Sequence, residues 1–219
     1  MLKAVLLSTA ALALVATTAD ARPQVTMSKD NRFVSVMPSG SSGKSTPANT
    51  AGFVVSTLDK GTVGTYFCCY GNTLSGPSSF FGAAYGVAEQ FIPSVSATIT
   101  KAVAAVGYVS GSDKVYLTLY ADNGSNSPGA VIASGHGTTS TQFGFCCGLV
   151  TAKLGSQNLH AGTPYWVAIT VKGADFDAAP FQVNNEVSDY HYLAYTSDGG
   201  GTWSSGYSET EYNPAIGLK

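Results

Sequence analysis

From Gly52 onward the apolar positions recur every second residue, as in a strand, not every third or fourth. In Lys114–Tyr120, KVYLTLY, residues Val115, Leu117 and Leu119 share one face and Tyr116, Thr118 and Tyr120 the other. Tyr165, Val167, Ile169 and Val171 of PYWVAITV repeat the arrangement, with Trp166, Ala168 and Thr170 opposite and Trp166 expected in the core. Turn-forming clusters separate such runs at Ser110–Asp113, Asp122–Gly129, Lys172–Ala174 and Ser197–Gly201. Thr98–Val109, TITKAVAAVGYV, holds enough Ala and Lys to suit a helix. Its Thr and Val content and strand-like neighbours predict a strand instead. The pattern predicts an all-β, antiparallel β-sandwich forming a single domain over residues 52–219.

The N-terminal residues follow another rule. A short positive start (Met1–Leu2–Lys3), an apolar run (Ala4–Ala16) and the small-x-small triplet Ala19–Asp20–Ala21 predict a signal peptide over residues 1–21. The expected location is secreted, extracellular or periplasmic. The apolar run falls short of the roughly 20 residues that span a bilayer, and no later run is longer, so no transmembrane segment is expected in the mature chain. Residues 22–51 are expected to form a flexible leader. Within them Met37–Ala51, MPSGSSGKSTPANTA, has too few apolar side chains to offset the entropy of ordering it. A glycan-decorated spacer is the alternative. The closing NPAIGLK shows no hydrophobic tail or sorting pattern.

Composition narrows the partners. Of 219 residues, 44% are hydrophobic and only 11% charged, with a net charge of −2. Ser, Thr, Asn, Gly and Tyr must solvate such a surface. The basic footprint that phosphate backbones require is missing, which argues against nucleic acid.

The four cysteines form two doublets, Cys68–Cys69 in FCCY and Cys146–Cys147 in FCCG. An even set in an exported protein points to disulfides, with three pairings open. Pairing Cys68 with Cys147 and Cys69 with Cys146 keeps the index sum constant, as antiparallel strands would. Neighbours on a strand point to opposite faces, so both bridges cannot have ideal geometry, and a bulge or loop is expected at one doublet. The first link would close a loop of about 80 residues, worth about 4 kcal/mol in the chain-entropy model. Stapling is the expected role. A vicinal bridge within each doublet is the alternative, and adjacent thiolates suit a tetrahedral zinc site poorly.

Four motifs occur in order: VAEQFIPS (Val87–Ser94), VYLTLYADNGSNSPGAVIASG (Val115–Gly135), LHAGTPYWVAITV (Leu159–Val171) and TSDGGGTWSS (Thr196–Ser205). Together they resemble the choice-of-anchor R type of bacterial extracellular domain over about Gly52–Lys219. The resemblance implies a jelly-roll-like sandwich on surface or exported proteins, and no catalytic residues. The cysteine doublets are not among that family's motifs, and no anchoring tail follows Lys219. The first departure suggests extra stapling; the second favours a released or partner-held protein.

Candidate chemistry lies in the loops. Asp122–Gly129 can be a hairpin connection, its Gly, Pro, Asp and Asn serving as turn formers, or a Ca²⁺ loop using Asp122, Asn126 and backbone carbonyls. The alternating ligands and following Glu of an EF-hand are missing, so the hairpin is preferred. Asp175 and Asp177, in GADFDAAP and followed by Asn184, Asn185, Glu186 and Asp189, read as solvated loop carboxylates, with structural calcium the alternative. Glycoside hydrolysis would need a raised pKa in a cleft. His136, His160 and His191 are far apart, and no G-x-S-x-G or H-E-x-x-H motif occurs, so no enzyme and no cofactor beyond that calcium are expected.

Aromatic residues crowd the C-terminal region. Alternation places Tyr190, Tyr192 and Ala194 on one face and His191, Leu193 and Tyr195 on the other, one set packing inside. An outer set drawn from Tyr195, Trp203 and Tyr207 could stack against sugar rings. The expected function is a structural or surface-associated role for a non-catalytic sandwich, its partner another surface protein. The alternative is a carbohydrate-binding module for an extracellular glycan, and a glycoside hydrolase is a distant third.

Overall fold

The computed structural model describes residues 25–36, 52–58, 66–144, 148–182, 191–204, 206–209 and 213–219. Among these the chain forms strands and no helix. In chain order they are β1 (Val25–Met27), β2 (Phe33–Val36), β3 (Val55–Ser56), β4 (Tyr66–Ser75), β5 (Gly86–Phe91), β6 (Ala97–Ser110) and β7 (Lys114–Asp122). There follow β8 (Pro128–Thr138), β9 (Gly148–Leu159), β10 (Tyr165–Val171), β11 (Phe176–Gln182), β12 (His191–Thr196), β13 (Tyr207–Glu209) and β14 (Ile216–Leu218). Thr98–Val109 lies within β6, as its Thr and Val content predicts.

Two antiparallel sheets pack together as a β-sandwich. One runs β1-β2-β4-β11-β6-β14-β3, with β9 also paired to β6; the other runs β13-β12-β5-β10-β7-β8. The period-two faces are realised in the second sheet. Val115, Leu117, Leu119, Val167 and Ile169 point inward and meet Leu74, Ile99, Val150, Leu159 and Leu218 of the first. Burial of these aliphatic side chains, at about 25 cal/mol per Å² of apolar surface, is the main force holding the sheets together.

Part of the outer face of the second sheet, on β5, β10 and β12, is also buried, while Ser134 and His136 on β8 are exposed. A row of small residues crosses it in register, from Ala194 through Ala88 and Ala168 to Thr118 and Ser134. Trp166 and Tyr120 lie beside that row, packed with Ala88, Ala168 and Ala194. Two segments cover them: the β7–β8 loop and the arm joining β12 to β13. Ser127 Oγ donates to the Ser204 carbonyl (3.0 Å) and the Gly206 amide to the Asn126 carbonyl (2.6 Å). Gly206 is required here, because a Cβ would stand 2.7 Å from the Trp166 ring. Trp166 is therefore fully buried, but beneath loops on the outer face and not between the sheets.

One side of the sandwich closes where β8 meets β9. A Cβ on Gly137 would lie 2.6 Å from the Thr151 carbonyl oxygen, and one on Gly135 would run into the Lys153 carbonyl. Glycine at both positions lets the two backbones approach closely.

Two expectations need correcting. Among the described residues the sandwich already includes 25–36, ahead of Gly52: they form the β1–β2 hairpin, paired to β4 through Phe33, Val34 and Ser35. Val34 is buried against Phe143, Phe176 and Ala178, which anchors the hairpin. The carboxylates of GADFDAAP are also not solvated. Asp177 lies on β11, and both it and Asp175 are buried. Residues 1–24, carrying the predicted signal peptide, and 37–51, the Ser- and Gly-rich part of the leader, lie outside the described residues. Among the described residues no helix is long and apolar enough to cross a membrane.

Candidate functional site

On the side away from β8 and β9, the β1–β2 end of one sheet faces the β12–β13 end of the other. A groove of about 410 Å³ opens there, lined by Asp30, Arg32, Tyr85 and the Tyr195–Ser197 and Thr202–Ser204 segments. That volume lies within the range of roughly 300–1,000 Å³ usual for ligand sites.

The β1–β2 turn forms one wall. Ser28 Oγ donates to Asp30 Oδ1 (2.7 Å) and accepts from the Phe33 amide (3.0 Å), while Asn31 takes the left-handed conformation that Asn tolerates (φ 58°). The Ser28 hydroxyl, with help from the Arg32 amide and guanidinium, holds the Asp30 carboxyl below its usual range against the opposing effect of partial burial. Arg32 Nε lies 3.5 Å from Asp30 Oδ2, and its Cζ sits 5.1 Å from the Tyr195 ring centroid. Of this turn, which also carries the exposed Lys29, the groove lining takes one anion, Asp30, and one cation, Arg32, side by side.

Tyr195 forms the floor. Its hydroxyl donates to Asn72 Oδ1 (3.0 Å), and its ring meets Phe33 edge-on at 6.2 Å. The returning arm forms the opposite wall. The Ser204 amide donates to the Tyr195 carbonyl (2.8 Å), and Ser204 Oγ accepts from the Tyr195 amide (2.9 Å). Asp198 shapes the turn before it, accepting from Thr196 Oγ1 (2.7 Å), Thr202 Oγ1 (2.7 Å) and the Thr202 amide (2.9 Å). The Thr202 amide and those hydroxyls hold its carboxyl far below the usual carboxylate range. Gly199 and Gly200, at φ 77° and 98°, supply the left-handed backbone this turn needs. Trp203 then packs edge-on against Tyr120 at 5.8 Å, and burial pushes the Tyr120 phenol up.

The sequence candidates distribute as follows. Tyr195 and Trp203 line the same groove. Tyr195 is nevertheless 8% exposed and belongs to the inward set with Leu193, a correction to its expected place on an outer platform. Its hydroxyl bond to Asn72 and the Phe33 contact pull it toward the core. Tyr207 stands opposite Leu193 on β13, and its side chain lies outside the described residues.

Asp122 is held by nitrogen donors: Oδ2 accepts from Trp166 Nε1 (2.7 Å) and Gln90 Nε2 (3.0 Å), and Oδ1 from the Gly124 amide (2.7 Å). Asn126 is exposed at φ 52°, its carbonyl taken by Gly206. The Asp122–Gly129 segment is thus a hairpin connection that clasps Trp166. Asp175 accepts from the Ser112 amide (2.6 Å) and Ser112 Oγ (2.7 Å). Asp177 Oδ1 accepts from the Val109 amide (3.4 Å). Among the described residues no three His, Cys, Asp or Glu side chains gather as a metal-binding group. The side chains of Cys68 and Cys69, on β4, and the whole of Cys146 and Cys147 lie outside the described residues. His136 packs against Tyr116 at 5.6 Å, and His160 is exposed, away from the groove.

Asp30, Arg32 and Tyr85 escaped the sequence reading. The first two fall in the stretch read as leader, where VTMSKDNRFVSV in fact carries a hairpin signal: alternating apolar residues around a Ser-Lys-Asp-Asn turn. The chain matches no protein-family model, and no curated protein matches it.

Proposed function

We propose that this chain is an exported, non-catalytic β-sandwich protein of the choice-of-anchor R type that binds an extracellular carbohydrate in the edge groove. The observation that carries the reading is the lining itself. The Tyr85, Tyr195 and Trp203 side chains stand beside the Asp30–Arg32 pair in a space of about 410 Å³. Sugars present apolar C–H faces to rings and hydroxyls to paired donors and acceptors, and this lining offers both. Binding without hydrolysis is favoured because Asp30 is held ionised beside Arg32, whereas a glycosidase needs a protonated acid facing a second carboxylate. Cross-doublet disulfides of the four cysteines would staple the sandwich against the exterior.

The test is a thermal-shift screen of the oxidised, signal-free protein against soluble polysaccharides, with and without chelator. At ligand near 100 times Kd the stabilisation is about 2.7 kcal/mol, a rise of roughly 5–10 °C for a domain of this size. Trp203→Ala is expected to abolish the rise. A flat panel for the wild-type protein refutes the reading. A surface-associated role through another protein is favoured instead by Ile92 and Val95, exposed in the loop after β5, at the other end of that strand from Tyr85.

A further inference from the structure

Beyond the groove, the β4–β5 loop carries an aromatic ring that the fold itself does not require to be exposed. Phe80 is 74% exposed, yet its ring is fixed: Phe81 lies 3.9 Å away at 34°, and Phe176 meets it edge-on at 5.4 Å. Phe81 in turn contacts Tyr85 at 6.0 Å, and Tyr85 lines the groove. Two ring contacts therefore connect Phe80 to the proposed site.

The loop backbone is equally constrained. The Gly76 amide donates to the Asp175 carbonyl and the Ser78 amide to the Gly173 carbonyl, each at 2.8 Å. Internal bonds run from Ser79 to Gly76 (3.0 Å) and from Gly82 to Ser79 (3.1 Å). Ser75 Oγ closes the loop, donating to the Ala83 carbonyl (2.7 Å) and accepting from the Tyr85 amide (3.1 Å). Single exposed apolar residues are ordinary on protein surfaces. An exposed ring held by two others on a tied loop is preorganised, and it loses little side-chain entropy when a ligand covers it.

Charge narrows the ligand further. Arg32 is the cation of the groove lining, and Asp30 stands 3.5 Å from it. An acidic sugar drawn to Arg32 would meet the Asp30 carboxylate, while a neutral one can use both groups through its hydroxyls.

Resting on the carbohydrate reading above, we infer that the ligand is a chain of neutral sugar units that leaves the groove past Tyr85 and stacks its next units on Phe80. Phe80 is then a distal subsite that single units and pairs do not reach.

The experiment is calorimetric titration of the mature, oxidised protein with cello-, xylo-, manno- and malto-oligosaccharides of two and of six units, and with oligogalacturonate. For the series that binds, six units are expected to bind at least about tenfold tighter than two, a gain of about 1.4 kcal/mol. Phe80→Ala is expected to remove that tenfold advantage and leave two-unit affinity unchanged, which also shows that the variant is folded. Phe80→Tyr is expected to retain it. Equal affinity for two and six units, or a six-unit affinity indifferent to Phe80→Ala, overturns the extended subsite while leaving the groove reading intact. Tighter binding of oligogalacturonate overturns neutrality. A wild-type protein that binds none of the series overturns the groove reading and this inference with it.

Discussion

Replacing Asp177 by Asn is expected to change how stability depends on pH. Asp177 sits on β11, between Leu74 of β4 and Tyr108 of β6, and by strand alternation shares the inward face with Ala179, towards the core between the sheets. It is fully buried; Oδ1 accepts one long bond from Val109, and Oδ2 has no hydrogen-bond partner among the described residues. Burial pushes the carboxyl up to about 7; the Val109 amide opposes this, and the nearby Asp175 and Asp113 charges add to it. The unfolded chain releases that proton near the ordinary aspartate value of 3.8. Between these two values the folded state holds a proton that the unfolded state has lost. The stabilising contribution is therefore complete below the lower value and is lost as pH rises through the upper one. At 1.36 kcal/mol per pKa unit the full loss is about 4 kcal/mol. Urea unfolding of the wild type and Asp177→Asn, under non-reducing conditions, at several pH values from about 4 to 8, isolates the effect in the difference between the two curves. The variant is expected to gain about 4 kcal/mol on the wild type across that range. Curves that stay parallel to within about 1 kcal/mol refute the argument.

Further substitutions test the cover and the closed side. Asp122→Ala leaves the Trp166 indole N–H without its 2.7 Å acceptor and is expected to cost about 2–3 kcal/mol, read as a lower urea midpoint with red-shifted tryptophan emission. Chelator is expected to leave the wild-type melting temperature unchanged, because N–H donors occupy the Asp122 oxygens. Gly135→Ala drives a methyl into the Lys153 carbonyl and is expected to cost about 1–3 kcal/mol, whereas Thr138→Ala, exposed on the same strand, stays within about 0.5 kcal/mol. Equal melting temperatures for these two variants would refute the close approach of β8 and β9.

Alternation along single strands made much of the second sheet legible. Val115, Leu117 and Leu119 face inward because a strand sends successive side chains to opposite faces, a local rule that needs no partner. The turns at Ser110–Asp113 and Lys172–Ala174 were readable for the same kind of reason, since Gly and Asp impose their preferences over two or three residues. The groove was only partly legible. Tyr195 and Trp203 could be named from a crowded aromatic segment, but Asp30, Arg32 and Tyr85 come from two other parts of the chain. Only the meeting of the β1–β2 hairpin with the β12 end of the other sheet brings them together.

The sequence by itself determined the fold class and the inward face wherever one side of a strand is aliphatic and the other polar. Tertiary structure decided the rest, because pattern carries no information once both faces are covered. In HYLAYT either set could have packed inside, and the Asn72 and Phe33 contacts decided for Tyr195. Trp166 is buried because a hairpin loop and a distant arm fold over it, and Asp177 because β4 and β6 flank it on both sides, with its side chain on the inward face of Leu74 and Ala179. Burial of that kind depends on segments remote in the chain, and no local period records it.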